Sequence, residues 1–439
     1  MPLFRMTNKR GFTVSAAVAL GAASLMMSPT VGHAAVSTCQ ATDLTSGAAA
    51  TADLQAVIDA ATAGDTVQVE GVCTGGFSID KDLTLVGQAA PGVSKATLDG
   101  NGVSRVLSLG GGSGVEVLLT DLTITNGFTG TYGGGIRNST GAVTLSGSTS
   151  VAGNTADQGG GIFSEGRVTL NGSSSVSNNT ADFVAGGIAV LTGALTLSDS
   201  STVAGNVSHF STGGIGVNEG SAEFNDSSSV TGNTVIVHGG VFTGYGGLTM
   251  NDSSSVSGNI ASFGGAGISN YRGTVTLNDA SLVSDNSVGR EGSRARGQAT
   301  EIGSLRLSGD RASVGGGIFN LRGSVRLNDA AEVSGNAARR GGGIFNKRGT
   351  IWLNGSSSVT GNTSRRRGGG IFSRHPLGVI TLAGMSSVAG NTARIEGGGV
   401  FVKAGVLAAC SASGIDEWVG AISPNTPDDE LTPERVSCP

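Results

Sequence analysis

GGGIFSEGRVTLNGSSSVSNNTA, from Gly159 to Ala181, recurs along the chain with small changes: as GGGIFNLRGSVRLNDAAEVSGNAA from Gly315 and as GGGIFNKRGTIWLNGSSSVTGNTS from Gly341. The aliphatic residue that follows the glycines falls at Ile136, Ile162, Ile188, Ile215, Val241, Ile268, Ile318, Ile344, Ile371 and Val400, mostly 26 or 27 residues apart. The step from Ile268 to Ile318 is 50, close to two coils. A fixed period of this size is the mark of a repeat architecture. Inside each unit Val168 and Leu170 flank Thr169, the alternation of a strand with one buried face. Gly, Asn and Ser separate such runs and supply the turns. The pattern predicts three short strands per repeat, around GGIF, TVTLN and SSVSGN.

Three strands joined by turns make a triangular coil, and stacked coils pair each strand with its counterpart one repeat later. A coil buries four or five aliphatic side chains, each worth roughly 1.5–3 kcal/mol. Ordering the backbone costs ~1–2 kcal/mol per residue, so a lone coil cannot fold, and stability comes from the stack. At ~4.8 Å per layer, about 13 coils make a body roughly 60 Å long. The expected fold is all-β, a parallel β-helix of about 26-residue coils.

The flanks read differently. Residues 1–35 have Arg5, Lys9 and Arg10, then an apolar stretch from Ala16 to Met27, then small Gly32 and Ala34. This is the pattern of a secretory signal peptide cleaved near Ala34 and Ala35, and it predicts an exported protein. No later stretch is apolar enough to span a membrane. Residues 36–65 form an expected N-terminal cap: Leu54, Val57, Ile58 and Ala61 share one face of a short helix, ended by Gly64. Irregular first coils are expected over 66–132 and regular ones over 133–405, with an insertion or degenerate coil at 289–314 and a C-terminal cap at 406–439.

The composition agrees. Gly is 76 of 439 residues without a three-residue period, which excludes collagen. Charged residues are 13% and aliphatics abound, which argues against a disordered chain. Of the three pairings open to Cys39, Cys73, Cys410 and Cys438, Cys39–Cys73 with Cys410–Cys438 is expected, since each bridge would close one terminal cap.

AVIDAATAGDTVQVEG, DLTLVG and LTDLTITNG, in the first coils, resemble the opening of pectate-lyase-like β-helix proteins. The GGGIF, TLN and SSVSGNTA elements resemble the repeats of bacterial surface proteins related to polymorphic outer-membrane proteins, here without the C-terminal barrel those proteins carry. The resemblance implies a right-handed helix and surface display or adhesion.

Charge gives the main functional lead. Between Gly289 and His375 stand 15 Lys or Arg against 5 Asp or Glu, in a chain whose formal net charge is −5. Arg339, Arg340, Arg365, Arg366, Arg367 and Arg394 fall on one turn of successive coils, and Arg322, Lys347 and Arg348 on another. Stacked cations favour an anionic partner such as an acidic polysaccharide or wall polymer; the bland alternative is a solvated edge that discourages aggregation. Nucleic acid is disfavoured, because no aromatic stacking platform accompanies the arginines.

Other polar columns read as structural. Asn154, Asn179, Asn206, Asn233, Asn259, Asn286, Asn336, Asn362 and Asn391 recur at one turn and predict an amide ladder. Asp199, Asp226, Asp252, Asp279 and Asp329 recur at another, with calcium as the less favoured use of their carboxylates. His209, His238 and His375 lack metal-ligand spacing. The alternative to a binding module is a lyase or hydrolase of acidic glycans, which needs clustered carboxylates; Asp99 and Asp121 lie in the early coils but in turn-like settings. The reading is a secreted, non-catalytic binding module without a cofactor.

Overall fold

The computed structural model describes residues 38–110, 114–289, 313–403, 406–410 and 421–422; the expected signal peptide, residues 1–35, lies outside them. Beyond a single short helix, the described chain is a right-handed parallel β-helix. One coil runs through Ile162–Ser164, Arg167–Leu170, Ser175–Ser177 and Thr180–Val184. Its counterparts above and below build four sheets, lettered A to D in that order, of 12, 14, 13 and 9 strands. Neighbouring coils pair in parallel, in the register of the sequence repeat: Ile162 with Ile188, Val168 with Leu195, Val176 with Val203.

A fourth strand per coil is the first departure from the sequence reading, which expected three. Sheet D strands bury a single small residue each, an alanine or valine such as Ala181, Val235 or Ala261 in most and a serine at Ser208 and Ser364, so they show no alternation to read. Val235, Ala261, Val288 and Ala338, with Ala266, build a small satellite core outside the main one. Sheet D starts only at Thr155–Gln158, which is what sets the earlier coils apart from the regular ones. The second departure is the 50-residue step. Ile268 pairs directly with Ile318, Val275 with Val325 and Val283 with Val333. It is therefore one coil and not nearly two, and its extra length falls between Gly289 and Ser313.

The main core is one continuous stack of aliphatic side chains from Ala41 to Leu407. Glycine permits the close layering. Gly159 sits at φ 62°, where a Cβ would meet the Ile162 carbonyl oxygen at 2.3 Å. A Cβ on Gly160 would lie 2.3 Å from the Thr180 carbonyl oxygen of the next coil.

The N-terminal end is closed by helix α1, Leu54–Ala60, which buries Leu54, Val57 and Ile58. Asp53 caps it, accepting the Ala56 N–H at 3.0 Å. The helix stops at Ala60 and not at Gly64, because the Asp65 carboxylate takes the Thr62 N–H at 2.7 Å and pulls the chain into a turn. Gln40–Asp43 then pairs antiparallel with Thr66–Glu70, giving sheet B a blunted first edge. Cys39 and Cys73 form a disulfide across this cap. Val406–Cys410 and Ala421–Ile422 extend sheets B and C at the other end. The expected Cys410–Cys438 bridge lies outside the described side chains. Among the described residues no helix is long and apolar enough to cross a membrane.

Candidate anion-binding ridge

Each coil has four corners, and each corner stacks its own chemistry. At the corner from sheet C to sheet D stand the ladder asparagines, all 0–1% exposed. Asn179 Nδ2 donates to Asn206 Oδ1 at 3.0 Å and to the Val151 carbonyl at 2.9 Å, and the Asn179 N–H donates to the same Asn206 Oδ1 at 3.0 Å. The pattern continues through Asn286 to Asn336, across the long coil, and on to Asn391. These amides are saturated by the fold, which leaves them nothing to offer a ligand.

At the corner from B to C, Asp199, Asp226, Asp252, Asp279 and Asp329 sit at φ 53–56°. Each of the first three takes its next-coil counterpart's carboxylate on its own backbone N–H, as Asp199 does from Asp226 at 2.9 Å. Here the left-handed turn is chosen by a residue that tolerates it and whose side chain bonds the neighbouring layer. Asp121 makes the same kind of cap, accepting the N–H and Oγ–H of Ser148 at 2.8 Å each. The Ser148 N–H, more than the hydroxyl, holds its carboxyl below the usual carboxylate range. Asp99 accepts the Asn101 N–H and the Asn126 amide. Among the described residues no three His, Cys, Asp or Glu side chains gather as metal ligands.

The arginines occupy the corner from D to A and the one after it. Arg339 and Arg340 end the strand Ala337–Arg340, Arg365, Arg366 and Arg367 end Thr363–Arg367, and Arg394 follows Thr392–Ala393. Arg340 pairs in register with Arg367. Burial pushes the Arg340 guanidinium below its ordinary range, and the charges of Arg339, Arg366, Arg374 and Arg367 push it the same way. The facing carboxylate is Glu396, 2.7 Å from Arg367 Nε.

Arg322, Lys347 and Arg348 lie across sheet A at the A-to-B corner, in columns with residues not singled out from the sequence. Backbone bonds place Tyr271, Lys347, Arg374 and Lys403 in one column, and Tyr245, Arg272, Arg322 and Arg348 in the other. A fixed offset of three from the column aliphatic (Ile268, Ile344, Ile371, Val400) would have found the first set. Arg374 is the link: it reaches the Arg340 cluster electrostatically, so the cations of the two corners share one field over sheet A.

Between the corners the outward face of sheet A carries Phe319, Phe345, Phe372 and Phe401, with successive ring centroids 5.7, 5.1 and 5.3 Å apart. A column of aromatic rings thus stands beside the arginines, which the sequence reading did not single out. Yet Phe345 and Phe372 are only 2% and 3% exposed, and the Arg367 guanidinium lies 5.1 Å from the Phe401 ring centre. The rings are a support beneath the cations and not a surface on which a base could stack. A hollow of about 380 Å³ elsewhere, in the early coils, is lined by Asn101, Asn126, Phe128 and glycines, with no charged group.

No family model, no curated protein and no solved structure matches this chain.

Proposed function

We propose that the protein is a secreted, non-catalytic β-helix module that holds an anionic polymer, an acidic polysaccharide or wall polymer, on its last regular coils. One observation carries the reading. Arg340 pairs in register with Arg367 of the next coil, with Arg339 and Arg366 beside them at the same corner, and Glu396 faces Arg367. Like charges stacked at the ~4.8 Å layer spacing repel one another, and a polyanion along the axis relieves that repulsion. Export and the likeness to bacterial surface-protein repeats agree with a role outside the cell.

The experiment is titration of the exported chain with polygalacturonate, polyphosphate and neutral dextran at two salt concentrations. The expected result is binding of one or both polyanions that weakens with salt, no binding of dextran, and at least tenfold weaker binding for Arg365→Glu/Arg366→Glu/Arg367→Glu. Salt-insensitive binding, or affinity unchanged by the triple reversal, overturns it.

A further inference from the structure

The two corners that flank sheet A change sign along the coil axis. Residues 36–288 carry 20 Asp or Glu against 6 Lys or Arg, whereas 313–403 carry 12 Lys or Arg against 3 Asp or Glu. The reversal is symmetric about one point. Backbone bonds stack Glu219, Tyr245, Arg272 and Arg322 on consecutive coils of a single column. The midpoint falls between the coil of Val241 and that of Ile268. Glu219 lies one and a half layers before it and Arg322 one and a half layers after it. Asp182 and Arg339, in one column of sheet D near the D-to-A corner, lie two and a half layers to either side. Glu165 and Arg374, in the neighbouring A-to-B column, lie three and a half layers to either side.

From this symmetry we infer that sheet A and its two corners form a self-complementary surface on which a second copy of this chain docks antiparallel. The two-fold axis lies in the interface, across the coils, at that midpoint. Such a rotation reverses the axial direction and keeps each corner opposite its own counterpart. Glu219 then faces Arg322 of the second copy, Asp182 faces Arg339 and Glu165 faces Arg374, each contact occurring twice. Over these coils no position brings two like charges together: Lys347 meets Leu191 and Arg348 meets Thr192 in the same rotation. The centre is aromatic. Tyr245 is 57% exposed, packs edge-on against Tyr271 at 5.9 Å, and faces Arg272 of the second copy. Arg272 already lies 5.5 Å from the Tyr245 ring within its own chain, so the same cation–π chemistry closes the seam from both sides.

Glu165, Glu219, Arg322 and Arg374 are exposed side chains on turns, so reversing them leaves the core untouched. The test is sedimentation velocity of the exported chain without polyanion, which separates self-association from polymer binding. A dimer is expected at about 0.05 M salt and dissociation toward monomer at about 0.5 M. Glu219→Arg and Arg322→Glu should each weaken the dimer by about tenfold or more. Glu219→Arg/Arg322→Glu in one chain should restore it, because every contact is then inverted and none is lost. A monomer at every concentration in low salt, or a double variant no better than the single ones, overturns the proposal.

Discussion

Asn362 and Arg366 stand four residues apart in the same coil, and neighbouring coils hold both corners in register. The asparagines answer every donor and acceptor they bury with the next layer's: backbone N–H, side-chain amide and a valine carbonyl all close on one another. The arginines meet like charge in the next layer, Arg340 against Arg367, with Glu396 as the facing carboxylate. Repetition turns a residue that is both donor and acceptor into a scaffold. It turns a residue that can only donate into a surface still short of acceptors.

The sharpest way to break this contrast is to remove one rung. Asn259→Ala leaves the Asn233 N–H and the Val230 carbonyl without their side-chain partner, and takes one of two partners from Asn233 Nδ2 and from Asn286 Oδ1. At about 1–3 kcal/mol for each orphaned group after local relaxation, a loss of about 4 kcal/mol is expected. A urea-unfolding midpoint that barely moves would show that the ladder is ornament.

The second test uses the middle of the D-to-A corner, between the acidic and the basic stretch. His238 stacks on Phe242 at 4.8 Å, and burial lowers its imidazole to about 4. The unfolded chain, at the ordinary 6.5, therefore binds a proton that the folded chain refuses. Stability is unaffected above pH 6.5 and falls as pH drops from 6.5 toward 4, by about 3 kcal/mol at full effect. Thermal melts at pH 7 and pH 4.5 should show this slope in the parent chain and a shallower one in His238→Phe.

The smallest effect belongs to the arginines. Arg365→Ala/Arg366→Ala/Arg367→Ala should change stability by no more than about 1 kcal/mol, upward at low salt where repulsion is relieved. Polyanion affinity should fall in the same variant. A strongly destabilised triple variant would place these side chains with the scaffold, as cover for the phenylalanine column.

Much of this was legible in advance because it recurs. Ile162, Val168, Leu170 and Val176 name the core strands by their spacing, and Asp53 to Ala61 names the lid by its helical face. What escaped lacked a period of its own. Sheet D has one small buried residue per strand, alanine, valine or serine, which no alternation can flag. The 50-residue step contains the length of two coils, yet only pairing of Ile268 with Ile318 makes it one. Of the site, the stacked arginines were readable as columns. The approach of Arg374 to Arg340 was not, since they belong to different corners of different coils and only the width of sheet A brings them into one field.

By itself, the sequence determined the repeating unit, its parallel stacking and the identity of each corner, because a 26-residue period can bury its aliphatic column in no other economical way. Tertiary structure alone decided which polar columns are spent and which are open. That depends on whether the group one layer away accepts what a side chain offers, and such a distance is set by the stack and not by the chain.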